Sequence, residues 1–169
     1  MKVRIFFYCL FLLFSVRAFA EFRLENWKNH TSFLKATAVS VDSKSRIWAG
    51  STGGVFIYDM KADKYPEYNI LNGLLGIDIS AVTCDKSSQN VYIGTNSGIL
   101  TICSEDIKLE HFLDIKESKF PNSKINRFFK YGNSLYIAGG FGLAVFDLEK
   151  RVFKESILRI GEFDRLSNV

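Results

Sequence analysis

From residue 36 onward, apolar and polar positions alternate in short runs broken by glycine, asparagine, aspartate and serine, the pattern of half-buried strands joined by tight turns. The runs repeat. Setting Arg46-Ile47-Trp48-Ala49-Gly50, Asn90-Val91-Tyr92-Ile93-Gly94 and Ser134-Leu135-Tyr136-Ile137-Ala138 under one another aligns Trp48, Tyr92 and Tyr136 at two steps of 44 residues. The same step relates Gly54, Gly98 and Gly142, then Val55, Ile99 and Leu143, then Tyr58, Ile102 and Phe146. Several matches in one register make a structural repeat.

Each copy predicts four strands: near 36–42, 45–50, 54–59 and 65–70, then 79–85, 90–94, 98–103 and 108–113, then 125–130, 134–138, 142–147 and 152–158. The third strand of each copy ends at Asp59, Cys103 or Asp147. Four strands per period is the size of a propeller blade, so the expected fold is all-β, a partial β-propeller with blades at about 36–78, 79–123 and 124–166. Helical solenoids of similar period need long amphipathic helices, which the glycine-punctuated runs do not provide. The one competing helical stretch is Glu105 to Lys116, and its place in the repeat assigns it to the outer strand of the second blade.

The repeated residues have physical roles. Gly54, Gly98 and Gly142 fall in the hairpin between second and third strands, where a positive φ favours glycine. Trp48, Tyr92 and Tyr136 are the residues best sized to fill the wedge between neighbouring blades. A fixed step of 44 also places Ala81, Ile125 and Val169 at equivalent positions, so the chain is expected to stop as a fourth copy begins. Closed propellers use about 4 to 8 blades, and three of this period leave the ring incomplete.

The first twenty residues carry a different pattern. Lys2 and Arg4 precede an apolar run from Ile5 to Val16, Arg17 closes it, and Ala18-Phe19-Ala20 offers small residues for cleavage: a secretory signal peptide, residues 1–20, followed by a propeller domain over 21–169. The run is too short to span a bilayer, which takes roughly 20 residues. Cys9 sits inside it, where a lipid-modified cysteine would not. Three of the chain's 22 basic residues and none of its 18 acidic ones lie in this stretch, so its removal lowers the net charge from +4 to +1. A near-neutral chain with no basic run argues against a nucleic-acid partner. Export also bears on Cys84 and Cys103, which could pair between strands of one blade or stay as buried thiols.

Catalytic constellations are sparse. His30 and His111 lack the Cys or carboxylate spacing of a zinc site, so neither a metal nor another cofactor is expected. Gly140-Phe141-Gly142 is half of a dinucleotide fingerprint without its third glycine, and Gly94-Thr95-Asn96-Ser97-Gly98 places its serine one residue late for a nucleophile elbow. Asp78 precedes an inner strand, and Asp114 or Glu117 could face the same side; glycoside chemistry would need two such acids paired. The expectation is a protein without enzymatic activity.

Ile47-Trp48-Ala49-Gly50, Gly54-Val55 and Tyr58-Asp59 resemble the propeller repeat of periplasmic two-component regulators, and more broadly WD40- and YVTN-like repeats. A closer likeness covers about residues 25–161: Trp27, His30, Asn72-Gly73-Leu74 before Ile79-Ser80, Lys124-Ile125-Asn126, Phe141-Gly142-Leu143 with Val145 and Asp147, and Ile160-Gly161. Together these resemble the N-terminal propeller of the PorZ family. That resemblance implies an exported Bacteroidota protein at the periplasm or cell surface, working with protein partners in the attachment complex of the type IX secretion system. It implies lipopolysaccharide recognition as well, which is assigned to no residue here. A sensor propeller of a two-component regulator is the second expectation, and a carbohydrate-active propeller enzyme resting on Asp78 the third.

Overall fold

The structure, a computed structural model, describes residue 33, residues 35–118 and residues 120–157. The signal-peptide expectation, Trp27, His30, Ile160-Gly161 and Val169 lie outside these. Among the described residues no helix is long and apolar enough to cross a membrane.

Three four-stranded antiparallel sheets follow one another along the chain. Blade 1 contains β1 (Ala36–Val41), β2 (Ile47–Ser51), β3 (Gly54–Tyr58) and β4 (Glu67–Tyr68). Blade 2 contains β5 (Ile79–Cys84), β6 (Val91–Thr95), β7 (Leu100–Cys103) and β8 (Leu109–Phe112). Blade 3 contains β9 (Ile125–Tyr131), β10 (Ser134–Gly139), β11 (Gly142–Asp147) and β12 (Val152–Ile157). In each sheet the strands lie in sequence order, each pairing with the next. The fold is a partial β-propeller, and the first strand of one blade packs against the first strand of the next.

Two elements differ from the sequence pattern. β4 has two residues instead of six: Pro66 cannot donate to the ladder, and Asn69 turns the chain into a 3-10 turn, Ile70–Asn72, by accepting the Leu71 N–H at 2.8 Å. The stretch from Glu105 divides. Residues 109–112 pair with β7 as the expected outer strand, and α1 (Asp114–Glu117) adds a single helical turn that drops Ile115 into the core.

The repeat also has more than one step. Ladder pairing makes Ala36, Ile79 and Ile125 equivalent, each opposite the last residue of its neighbouring strand, so the inner strands step by 43 and then 46 residues. Ile79 therefore stands where the fixed step of 44 puts Ala81. In blade 2 the second hairpin holds one extra residue, and Val55, Leu100 and Leu143 are the true counterparts. Likewise Asp59 and Asp147 correspond to Ser104. All three side chains accept N–H groups of the turn that follows: Lys61 and Ala62 on Asp59, Lys108 on Ser104, Glu149 and Lys150 on Asp147. The glycines keep their task across this shift, with φ of 124° at Gly54, 83° at Gly98 and 107° at Gly142.

Candidate interaction surface

Alternation along each strand gives every blade two faces. The face toward the following blade carries the row Ser40–Trp48–Ile57 in blade 1, Thr83–Tyr92–Ile102 in blade 2 and Phe129–Tyr136–Val145 in blade 3. The face toward the preceding blade carries Val39, Val82 and Phe128 at matching positions. Two cores result. Trp48, Val55 and Ile57 meet Ile79, Val82 and Ile93 between blades 1 and 2. Tyr92, Leu100 and Ile102 meet Ile125, Phe128 and Ile137 between blades 2 and 3.

Polar contacts fix the junctions. The Thr37 hydroxyl lies 2.6 Å from the Ile79 carbonyl oxygen of blade 2 and 3.0 Å from that of Gly50 in its own blade. One proton serves both, and the shorter contact crosses the junction. Ser80, its counterpart, repeats this at 2.6 Å to Ile125 of blade 3, and Asn126 holds the third equivalent place. The approach is close because the neighbouring strand offers glycine: a Cβ on Gly50 would stand 2.5 Å from Ile79 Cγ2, and one on Gly94 2.6 Å from Ile125 Cγ2. These hydroxyls were not singled out by sequence reasoning, although the run Thr37-Ala38-Val39 against Ser80-Ala81-Val82 carries the signal.

Charge contributes at both junctions. Asp42 accepts the Lys44 and Arg46 N–H groups, the Arg46 guanidinium at 2.7 Å and the Trp48 indole N–H at 2.9 Å, so the largest ring of the first core is anchored to a carboxylate. Burial works to raise the pKa of Asp42, but these donors outweigh it and hold the group below its usual range. Asp85, the counterpart of Asp42, pairs across the second junction with Lys130 of blade 3 at 2.7 Å.

Trp48 and Tyr92 are almost wholly covered, at 2% and 0% exposure, but Tyr136 is only half-buried, because no described strand packs on its face of blade 3. Phe129 and Tyr131 beside it are 65% and 73% exposed. With Leu143 they line an apolar concavity of about 400 Å³. At the other end of the molecule Val39 is 60% exposed, whereas its counterparts Val82 and Phe128 are buried. Phe33 packs edge-on against Phe56 over the outer part of that face, ring centres 6.0 Å apart.

The titratable candidates are dispersed. Asp78 is exposed and uses its carbonyl oxygen to accept the Asn96 N–H. Asp114, with Ile115, Phe120, Phe153 and Lys154, lines a second cavity of about 300 Å³ between α1 and blade 3; neither Asp78 nor Glu117 is on that lining. His111 joins two blades: its Nε2 must be the donor to the Gly73 carbonyl at 2.9 Å, so in the neutral ring Nδ1 accepts from the Thr101 hydroxyl. No cluster of three or more metal-ligating side chains occurs among the described residues.

Cys84 and Cys103 are both free thiols. Val91 lies between them in the ladder, opposite each, which separates their strands by roughly 10 Å and puts a bond out of reach. Burial pushes the Cys84 thiol up to about 11 and the Cys103 thiol up to about 12.

Known proteins show the same architecture. PorZ of Porphyromonas gingivalis, a bacterial surface component of the type IX secretion system, superposes with a TM-score of 0.70 at 21% identity, over 77% of this chain and 18% of that one. The extracellular domains of two putative hybrid two-component systems of B. thetaiotaomicron, BT3049 and BT4673, superpose with TM-scores of 0.58 and 0.60 at 21% and 19% identity, covering 77% and 78% of this chain. The chain spans 18% of the length of each of these structures. Among curated proteins no sequence matches. The family model described as "TSS9, PorZ, N-terminal beta-propeller domain" matches residues 47–165, well over half of the chain, and runs through all three blades. The chain belongs to the PorZ N-terminal β-propeller family.

Proposed function

We propose that this chain is the propeller part of an exported, cell-surface scaffold of the type IX secretion system, one that binds protein partners and catalyses no reaction. The family match over residues 47–165 carries the reading. The chemistry of the blades supports it, because their repeated geometry is spent on junctions: the buried rings, the inter-blade hydroxyls and the Asp85–Lys130 ion pair hold one blade to the next. A scaffold of this kind presents surfaces and loops for recognition while its core stays rigid. Any lipopolysaccharide contact belongs, on this reading, to parts of a longer protein.

The test is affinity purification of the tagged protein from the surface of the cells that produce it. Recovery of outer-membrane secretion components is the expected result, and their consistent absence, with the protein itself recovered intact, would defeat the reading.

A second reading is favoured by the likeness to the BT3049 and BT4673 extracellular domains: a sensor propeller of a two-component regulator. A membrane-spanning helix and a kinase encoded downstream in the same gene would establish it. A further stretch of propeller and a secretion-targeting domain would instead support the scaffold.

A further inference from the structure

The cavity of about 300 Å³ between α1 and blade 3 lies where the second junction departs from the first. Ladder pairing makes Thr101 and Ala144 counterparts, one opposite Ile93 and the other opposite Ile137. One strand further out, His111 and Ser156 hold the matching places. Between blades 1 and 2 the His111 imidazole closes this corner, accepting from Thr101 and donating to the linker carbonyl of Gly73. Between blades 2 and 3 alanine stands where the first junction has threonine, serine stands where it has histidine, and the cavity opens there against the linker helix. Its walls belong to the core that blades 2 and 3 share, so it does not depend on what precedes blade 1 or follows blade 3.

We propose that this cavity receives an arginine side chain of a protein partner. Ile115 and Ala144 form its buried wall, and the rings of Phe120 and Phe153 its half-buried one. Both rings are held from behind: Phe120 stacks on Phe141 with centres 5.5 Å apart, and Phe153 stands edge-on to Phe146 at 5.0 Å. Two charged groups complete the lining. The Lys154 ammonium is engaged by Asp147 at 3.0 Å, whereas the exposed Asp114 carboxylate makes no ion pair among the described residues. One negative charge is therefore left uncompensated beside two aromatic rings. A guanidinium matches this set, because its flat face packs on rings, its N–H fork meets a carboxylate and its stem is apolar. It is also near in kind to the planar N–H donor that His111 supplies one junction earlier. Lysine carries the charge without the flat face, and an acidic side chain would meet Asp114.

The volume stands at the small end of ligand pockets, which run from roughly 300 to 1,000 Å³, and suits one side chain better than a larger molecule. That the occupant belongs to a protein rests on the scaffold reading; the recognition of a guanidinium rests on the cavity alone.

Titration of the isotope-labelled protein with the blocked peptide acetyl-Gly-Arg-Gly-amide should shift the backbone amide resonances of Asp114, Ile115 and Ala144 and reach saturation. The same peptide with norleucine for arginine keeps the stem and loses the guanidinium, and should bind about tenfold more weakly or worse. Asp114→Asn, a change at an exposed position that should leave the fold intact, should weaken the arginine peptide by about tenfold and leave the norleucine peptide unchanged. Lys154→Met removes the neighbouring cation and should keep or raise the affinity for arginine. Near-ultraviolet circular dichroism checks that each variant retains its packed aromatic cores. No saturable shift in the folded wild-type protein up to about 10 mM peptide overturns the proposal. So does a norleucine peptide that binds as tightly as the arginine one, an affinity indifferent to Asp114→Asn, or one that falls with Lys154→Met. All four leave the scaffold reading standing, which is decided separately by whether secretion components are recovered with the protein.

Discussion

Ser80 of the second blade donates its hydroxyl to the carbonyl oxygen of Ile125 in the third, 2.6 Å away and 45 residues on. Thr37 does the same for Ile79 one blade earlier. Ser80→Ala leaves a carbonyl at the junction without this donor, and the expected loss is about 1–2 kcal/mol, read from the midpoint of urea unfolding. Ser80→Thr, which keeps the hydroxyl, should stay near wild type. If both variants lose the same amount, the hydroxyl is not what holds the junction.

Trp48 fills the first inter-blade core and is tied by its indole N–H to Asp42. Trp48→Ala should therefore cost about 3–5 kcal/mol, mostly as a cavity. Trp48→Phe separates the two contributions, because it keeps most of the ring but removes the donor; a loss smaller than that of alanine yet clearly measurable is expected. Calorimetric unfolding of the three proteins makes the comparison, and an alanine variant as stable as wild type would contradict the packing described here.

Gly94 has no space for a side chain, its Cβ position lying 2.6 Å from Ile125 Cγ2 and 2.9 Å from Phe128 Cζ. Gly94→Ala should destabilise by about 1–3 kcal/mol through overpacking. Adding Ile125→Ala removes the opposing atoms, so the double variant should be more stable than the sum of the single losses predicts. The coupling is measured by a double-mutant cycle, and strict additivity would show that the two residues do not meet.

Asp85 gives the protein an acid-sensitive seam. Burial opposes its charge, but the Lys130 ammonium and the hydroxyls of Ser88 and Ser87 outweigh that and hold its pKa well below the usual carboxylate range. In the unfolded chain the group titrates near its ordinary value, roughly 4. The stabilisation is therefore complete above about pH 4 and is lost as acidification continues down through the lowered folded value. Lys130→Met should flatten the fall of melting temperature with pH in that acid window while changing its slope little near neutrality. Melting curves from about pH 2 to 7 decide the matter, and parallel curves for the two proteins would remove Asp85 as the source.

The blade was legible in the sequence because its strongest signals are local. Trp48, Tyr92 and Tyr136 sit on second strands spaced by an even 44 residues, and the positive φ at Gly54, Gly98 and Gly142 leaves a visible mark in composition. The inner strands were harder. Their positions depend on the hairpins and linkers before them, and they step by 43 and then 46 residues, so a fixed ruler slid Ile79 onto Ala81. The short fourth strand of blade 1 was hidden because Pro66 and Asn69 act through the ladder and a side-chain cap, neither of which changes the apolar pattern. Thr37 and Ser80 were hidden for a related reason: a hydroxyl on a bulged strand reads as an ordinary β-compatible residue until a second blade stands opposite it. Tyr136 shows the reverse case, since its ring size was plain but its exposure is decided by what lies beyond it.

The direction of the Thr37 and Ser80 contacts has a consequence for the order in which the protein becomes stable. In both, the donor is made first and the acceptor emerges 42 or 45 residues later. A blade that emerges during synthesis therefore has its four strands before it has its last bond, and its successor supplies that bond. Each of these two blades thus leans on the one after it for a bond that its own strands do not supply.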